Sequence, residues 1–208
     1  LSVVDPGVGT ERRCVAVEAG DRWFVGPDNG LLTLVLRAFQ VQRAFELSYN
    51  LDGAAKTFHG RDIFAPAAAQ IARGDGPETV GTALRPQSLL RAEWAAPKAF
   101  KGGVVAHVMH ADRFGNCVLN LDSEEWLPKV TAWESPALLH PKFTLLSLCE
   151  VYGRLSKGEA GILPGSQGYL ELAVNRGSAK SALSLNIGDM VRLGSAASKD
   201  AGRGGPKG

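Results

Sequence analysis

Short apolar runs separated by glycine- and proline-rich turns set the pattern of this chain. Val3-Val4 predicts a strand end feeding a turn at Pro6-Gly7, and Pro6 biases Asp5 toward an extended backbone. Cys14 to Glu18 and Trp23 to Val25 predict two strands joined through Ala19-Gly20-Asp21. Gly26-Pro27-Asp28-Asn29-Gly30 is a dense turn signal. Leu31 to Phe39 follows as a helix, with Leu31, Leu34 and Val35 at i, i+3 and i+4 spacing. Ala44 to Leu47 predicts another strand. Asp62 is expected to cap a second helix, Ile63 to Arg73, with Pro66 tolerated in its first turn and Gly74 ending it. On that reading His59 and Gly60 lie just before a helix N-terminus, a natural anion site.

Residues 74–102 read as linker-like, punctuated by Pro77, Pro86 and Pro97 and closed by Gly102-Gly103. Beyond them the period changes to short strands: Val104 to His110, Cys117 to Leu121, Phe143 to Leu148, Gly168 to Val174 and Asp189 to Leu193. The predicted fold is an α/β N-terminal domain over residues 1–92, a linker at 93–102, and a small all-β barrel domain at 103–195. Residues 196–208, rich in Gly, Ser and Lys, read as a disordered tail. Leu1 falls within a strand pattern, so the N-terminal domain is expected to be incomplete at its start.

Composition narrows the classes. The chain has 208 residues, 45% of them hydrophobic, enough for a sizeable core. Its net charge is +2 and no basic stripe interleaves with aromatics, which argues against a nucleic-acid partner. The longest apolar run, Leu31 to Leu36, falls far short of the roughly 20 residues of a membrane span. Cys14, Cys117 and Cys149 are odd in number, widely spaced and set in apolar runs. They read as small core residues in a reduced, cytoplasmic protein.

Three polar signatures carry candidate chemistry. Asp5-Pro6-Gly7-Val8-Gly9-Thr10 is followed by Arg12 and Arg13. Phe58-His59-Gly60-Arg61-Asp62 and Asp112-Arg113-Phe114-Gly115-Asn116 complete the set. Each joins an ionisable side chain to glycine, which lets backbone approach a ligand closely. Bland readings stand beside them: a turn carboxylate at Asp5, a solvated Arg12, a structural His59, and a tight hairpin at 112–116. Strand alternation puts Arg12 and Arg13 on opposite faces, so that one can face solvent while the other turns inward toward Asp5. It likewise parts His107 from His110, while His110 and Asp112 share a face and keep a metal reading barely open. Asn175-Arg176-Gly177 is a further polar turn. Glu171, flanked by Leu170 and Leu172, is a carboxylate in an apolar strand and needs a partner. The residues alone name no substrate.

At these segments the chain closely resembles the S-adenosyl-L-methionine (SAM) hydrolase family, the adenosine-forming SAM hydroxide adenosyltransferases. The resemblance is carried by Val3 to Arg13, Phe24 to Leu32, Phe58 to Ala69, Asp112 to Asn116 and Gly165 to Gly177. It implies hydrolysis of SAM to adenosine and L-methionine with no metal or cofactor, SAM being the substrate. It also implies a homotrimer with active sites between subunits. The catalytic residues it implies are Asp5, Arg12 and His59. Asp112, Asn175 and Arg176 would address the methionine end, Phe114 and Asn116 the adenine, and Ser166, Glu171 and Val174 the adenosine. Related halogenases carry Tyr in place of Asp5 and of His59, so the residues here favour water over halide. The family's upstream segment, with an aspartate for the ribose hydroxyls, is absent from the sequence, and Leu119 stands where Thr is usual. A halogenase and a non-catalytic adenosyl-binding module are the alternative readings.

Overall fold

The computed structural model describes residues 1–48 and 54–197. It divides into two compact units, Leu1–Ala95 and Ala96–Gly208. The first is built on an antiparallel sheet of β1 (Cys14–Ala19), β2 (Arg22–Pro27), β3 (Val41–Leu47) and β4 (Gly81–Leu84), in the order β2-β1-β3-β4. Gly20 and Asp21 turn the β1–β2 hairpin with φ of 56° and 57°. Two consecutive positive φ values match the right-handed strand twist.

β1 is apolar at nearly every position because both its faces are covered. Cys14 and Ala16 pack with Val25, Leu47, Ile63, Phe64 and Ala67, while Val15, Val17 and Ala19 pack with Leu32, Leu36, Ala44 and Leu89. Helix α1 (Thr33–Ala38) supplies Leu36 to the second core, and α2 (Ala65–Ala72) supplies Ala67 to the first. Alternation carries upstream: Arg12 continues the Cys14 face and Arg13 the Val15 face.

Several expectations need correction here. Val3-Val4 forms no strand; the segment is tied by Ser2 N–H donating to Val25 O at 3.0 Å and by the Asn29 amide donating to Val4 O at 2.9 Å. Asp62 is not an N-cap. The helical run starts at His59 with a wide turn, Gly60–Phe64, in which Ala65 N–H reaches back to Gly60 O, and it continues as α2. The wide turn ends just before Pro66, which has no N–H to give. The Asp62 carboxylate instead accepts from Ala55 N–H at 2.9 Å, outside the helix, and pairs with Arg61. The linker-like stretch is structured: β4 lines the sheet edge, and Val80 and Leu89 are buried core residues. Arg13 is not a solvent-facing arginine. Its Nε donates to Asp28 Oδ2 at 3.0 Å, and its Nη2 reaches Ser88 O.

Among the described residues the second unit has nine strands: β5 (Lys98–Phe100), β6 (Gly103–Ala111), β7 (Cys117–Asp122), β8 (Pro136–His140), β9 (Thr144–Leu145), β10 (Ser147–Leu148), β11 (Ala160–Pro164), β12 (Tyr169–Val174) and β13 (Met190–Ser195). They form one barrel-like sheet, β10-β11-β12-β7-β6-β13-β8-β9, with β5 on β6. Register shifts at Val108/His110, Tyr169/Glu171 and Arg192/Leu193 bend strands locally. The sheet thereby wraps one core that includes Val104, Leu119, Leu121, Ile162, Leu172 and Leu193. β5 occupies part of the expected linker. Helix α3 (Ser123–Thr131) and strands β8 and β11 were missed in the sequence. Asp122 caps α3 by accepting from Glu125 N–H at 3.0 Å, an Asp-x-x-Glu start signal, and Trp126 and Val130 turn into the core. A short helix α4 (Ala179–Ala182) is capped by Ser178. Ala196 N–H bonds to Ser135 O at 2.8 Å, and the rest of the expected tail, from residue 198, lies outside the described residues.

The Arg13–Asp28 pair fastens the start of β1 to residues 88–90, because Asp28 Oδ1 also accepts from Leu90 N–H at 2.8 Å. Asp28 is nearly fully buried, while Arg13 is about a quarter exposed. Asp28→Ala strands a half-screened guanidinium and a backbone N–H. It should cost about 2 kcal/mol of stability, read as a lower urea midpoint with unchanged m-value. A midpoint equal to the parent's would refute this clamp.

Candidate active site

The first unit brings Asp5, Arg12 and His59 together. The turn that presents Asp5 needs glycine at Gly9: φ is +79°, and a Cβ there would lie 2.7 Å from Lys56 O. Arg12 leaves the sheet on the Cys14 face, where the helix headed by His59 packs. Its Nε donates to Asp5 Oδ1 at 2.9 Å and Oδ2 at 3.0 Å, and its Nη2 makes a further, short bond to Oδ2. The same Nη2 lies 2.9 Å from His59 Nδ1, and Nη1 donates to Cys14 Sγ at 2.7 Å. The Phe64 ring lies under the guanidinium, 5.2 Å from its carbon. The ion pair is shielded from solvent, with side-chain exposures of 9% for Arg12 and 5% for Asp5.

Two chemical consequences follow. Burial opposes the charge on Arg12, but the bonds to Asp5 and Cys14 outweigh it and hold the guanidinium's pKa above its ordinary value. Burial pushes the Cys14 thiol up as well, so it meets Arg12 as a neutral acceptor. Second, an arginine can only donate, so His59 Nδ1 must accept, and the ring proton sits on Nε2. The cluster therefore offers a carboxylate that accepts and an imidazole N–H that donates.

The second unit holds the remaining predicted residues around two clefts. One, of about 90 Å³, is lined by His110, Asp112, Tyr152, Ser166, Gln167 and Glu171, among others. The other, of about 380 Å³, is lined by Phe114, Asn116, Tyr152, Val174, Asn175, Arg176 and Gly177. Asn175 and Arg176 line the larger cleft with Phe114 and Asn116, while Asp112 lines the smaller. The 112–116 turn satisfies itself: Asp112 Oδ1 accepts from Phe114 N–H at 2.8 Å and Asn116 N–H at 2.9 Å, and Oδ2 from the Asn116 amide at 3.0 Å. Burial raises the Asp112 pKa, and these donors overcome it, so the carboxyl titrates below its usual value. Gly115 is required there, with φ of +84° and a would-be Cβ 2.1 Å from Ser178 Oγ. Glu171, buried in β12, accepts from the Tyr152 hydroxyl.

Among the described residues, no group of three or more His, Cys, Asp or Glu is placed to hold a metal ion, and no helix is long and apolar enough to cross a membrane. His110 and Asp112 do line one cleft, while His107 is half-buried, with its backbone N–H on Asn120. The sequence reading missed Cys14, Phe64, Tyr152 and Gln167. Alternation from Arg12 points straight at Cys14; Tyr152 has no local signal beyond being an aromatic in a turn.

An α/β unit seating a shielded acid–guanidinium–imidazole cluster, followed along the chain by a barrel-like β unit with polar clefts, defines an enzyme of the hydrolytic or group-transfer kind. Residues 1–81 match the SAM hydroxide adenosyltransferase N-terminal domain, and residues 106–192 match the corresponding C-terminal domain. The chain is 40% identical to an (R)-S-adenosyl-L-methionine hydrolase of Thermus thermophilus, over 93% of this chain and 74% of the relative. It is 38% identical to a protein of the same name from Salinispora tropica, over 93% of this chain and 73% of the relative. A fluorinase from Actinoplanes sp. is more distant, at 29% identity over 81% of this chain and 58% of its own length. Among solved structures, a conserved protein of Thermotoga maritima superposes with a TM-score of 0.78 at 33% identity, covering 92% of this chain and 75% of its own. The chain belongs to the SAM hydroxide adenosyltransferase family.

The tautomer is directly measurable. Long-range proton–nitrogen correlation should show His59 as the Nε2–H form in the parent protein and a mixed ring in Arg12→Gln. A parent ring protonated at Nδ1 would contradict the Arg12–His59 contact.

Proposed function

We propose that this protein hydrolyses S-adenosyl-L-methionine to adenosine and L-methionine, and that Asp5, Arg12 and His59 carry the chemistry. Water attacks the ribose C5′ in line with the departing sulfonium. The new O–C5′ bond forms as the C5′–S bond breaks, and sulfur keeps the electron pair as the neutral thioether of methionine. One water proton passes to Asp5 and on to solvent. His59 holds the attacking oxygen through Nε2–H, and Arg12 fixes both partners. The meeting of Asp5 and His59 on one guanidinium is the observation that carries this reading. Positioned proton transfer of this kind supplies about 10²–10⁴-fold, and orientation with exclusion of other water supplies much of the rest.

The clefts suit the two ends of such a substrate. The larger, lined by the apolar or aromatic Phe114, Tyr152 and Val174 and the polar Asn116, Asn175 and Arg176, fits the adenine and ribose. The smaller, with Asp112 and Ser166, fits the amino-acid end, its carboxylate matched to the methionine ammonium. The α/β and β-barrel domain division, with its linker at 93–102, belongs to the same proposal, as does a homotrimer whose neighbouring subunits complete the site. We infer a cytoplasmic setting, with no nucleic acid or membrane as partner.

Incubation with the R and S sulfonium epimers of SAM, followed by chromatography, should release adenosine and methionine in equal amounts. Formation of 5′-halo-adenosine in chloride or fluoride buffer would make it a halogenase. Saturable adenosine binding with SAM left intact would make it a binding module.

A second outcome follows from the tautomer. Gln at position 59 can return an N–H near Nε2, whereas Asn cannot reach that far. His59→Gln should keep at least about tenfold more turnover than His59→Asn, with similar KM values, because one donor in the transition state is worth roughly that factor. Equal losses would remove the donor role from His59.

A further inference from the structure

Glu171 was expected to touch adenosine. It lies in the middle of β12, paired with Leu163 of β11 on one side and Val118 of β7 on the other, and only 6% of it is exposed. A carboxylate so placed needs a donor. The structure provides one from far along the chain: the Tyr152 hydroxyl donates to Glu171 Oε1. Tyr152 opens a single 3₁₀ turn, Tyr152–Arg154, whose residues are all exposed. The residue as a whole is 44% exposed, so packing alone does not fix it. It is also the residue common to the linings of both clefts. Strand β12 thus holds, through Glu171, a wall that the two clefts share. Burial, and then Glu171, push the Tyr152 phenol well above its ordinary pKa, so it remains a donor.

We propose that Glu171 is a positioning residue: it anchors Tyr152 as the shared wall of the two clefts and thereby sets how the substrate spans them. This rests on the hydrolase reading for its substrate, and on the Glu171–Tyr152 contact for its mechanism. Glu171 acts through the phenol and does not touch the reacting atoms. Losing the anchor frees the ring and weakens substrate and nucleoside binding, while the attacking water, held by Asp5 and His59, is unaffected.

The test uses the full chain with Tyr152→Phe, Glu171→Gln and the double variant. KM and kcat are measured with SAM, adenosine affinity by calorimetry, and phenol ionisation by ultraviolet difference titration. Each single variant should raise KM and weaken adenosine binding by about tenfold, the factor for one lost charged hydrogen bond, with kcat within about twofold. The double variant should be no worse than either single one, as expected for partners in one contact. The high-pH phenol of the parent should vanish in Tyr152→Phe and shift downward in Glu171→Gln. Additive losses, a fall in kcat at constant KM, or an unmoved phenol would overturn the proposal. If Glu171→Gln does not fold, Tyr152→Phe alone decides: unchanged adenosine affinity refutes the anchored wall. A parent inert toward SAM would sink the hydrolase reading, and the adenosine and phenol measurements would still judge the anchor.

Discussion

The guanidinium of Arg12 is the constraint on which the geometry of the first unit's polar cluster depends. All three of its nitrogens are committed: Nε to Asp5, Nη2 to Asp5 and His59, and Nη1 to Cys14. A planar fork with fixed donor directions can do this, and a lysine ammonium cannot. Because the fork is rigid, fixing Nη1 against Cys14 fixes the angle at which Nη2 meets the histidine. Phe64 below closes the remaining face. A buried ion pair is a poor source of stability, since desolvation offsets most of the attraction. Its retention beneath a packed helix therefore makes sense as geometry: a carboxylate and an imidazole held at fixed separation, with the imidazole proton forced onto the outward nitrogen.

That geometry was partly legible in the residues. Alternation from β1 places Arg12 and Arg13 on opposite faces, and this much holds. The further expectation, that one of them can face solvent, gives way because β1 is covered on both sides, so Arg13 also meets a partner, Asp28. The β1–β2 hairpin was readable from Gly20-Asp21, since a two-residue turn with both φ values positive has a narrow sequence signature. The start of the second helix was not. Asp62 looks like a cap, but its carboxylate is taken by Ala55 N–H, and a tertiary contact of that kind leaves no local trace. Resemblance supplied the grouping of Asp5, Arg12 and His59; spacing alone could not, because 47 positions separate Arg12 from His59.

In the second unit, polar residues reach the surface through irregularities of the sheet. The register shifts at Val108/His110 and Tyr169/Glu171 fall beside residues that line the smaller cleft. A regular strand would alternate inward and outward; a bulge lets His110 leave that alternation while Val108 stays buried. The turn at 112–116 shows a similar economy. Asp112 organises its own loop with three hydrogen bonds, and that presents the Phe114 ring, which is largely exposed, toward the larger cleft. The bland reading of a tight turn and the functional one therefore do not compete. A carboxylate already satisfied by N–H donors stays ionised without a ligand, and an ionised carboxylate is what an ammonium requires.

On the proposed chemistry, the division of labour follows from the leaving group. A sulfonium departs as a neutral thioether, so no acid is needed at that end. The whole demand falls on water, a weak nucleophile. A carboxylate is in general a weak base for deprotonating water. The cost is smaller than it looks, because the proton need not move early. As the O–C5′ bond forms, the water oxygen gains positive character and its acidity rises, and a modest base then suffices if it is correctly aimed. What must be present from the start is alignment, and alignment is what Arg12 supplies. A carboxylate free to turn would lose the direction of attack. A second donor, His59, keeps the oxygen on line while the charge redistributes. The same arrangement disfavours a halide, which would meet the negative carboxylate with no proton to give it, and whose desolvation Asp5 would oppose at every step of its approach.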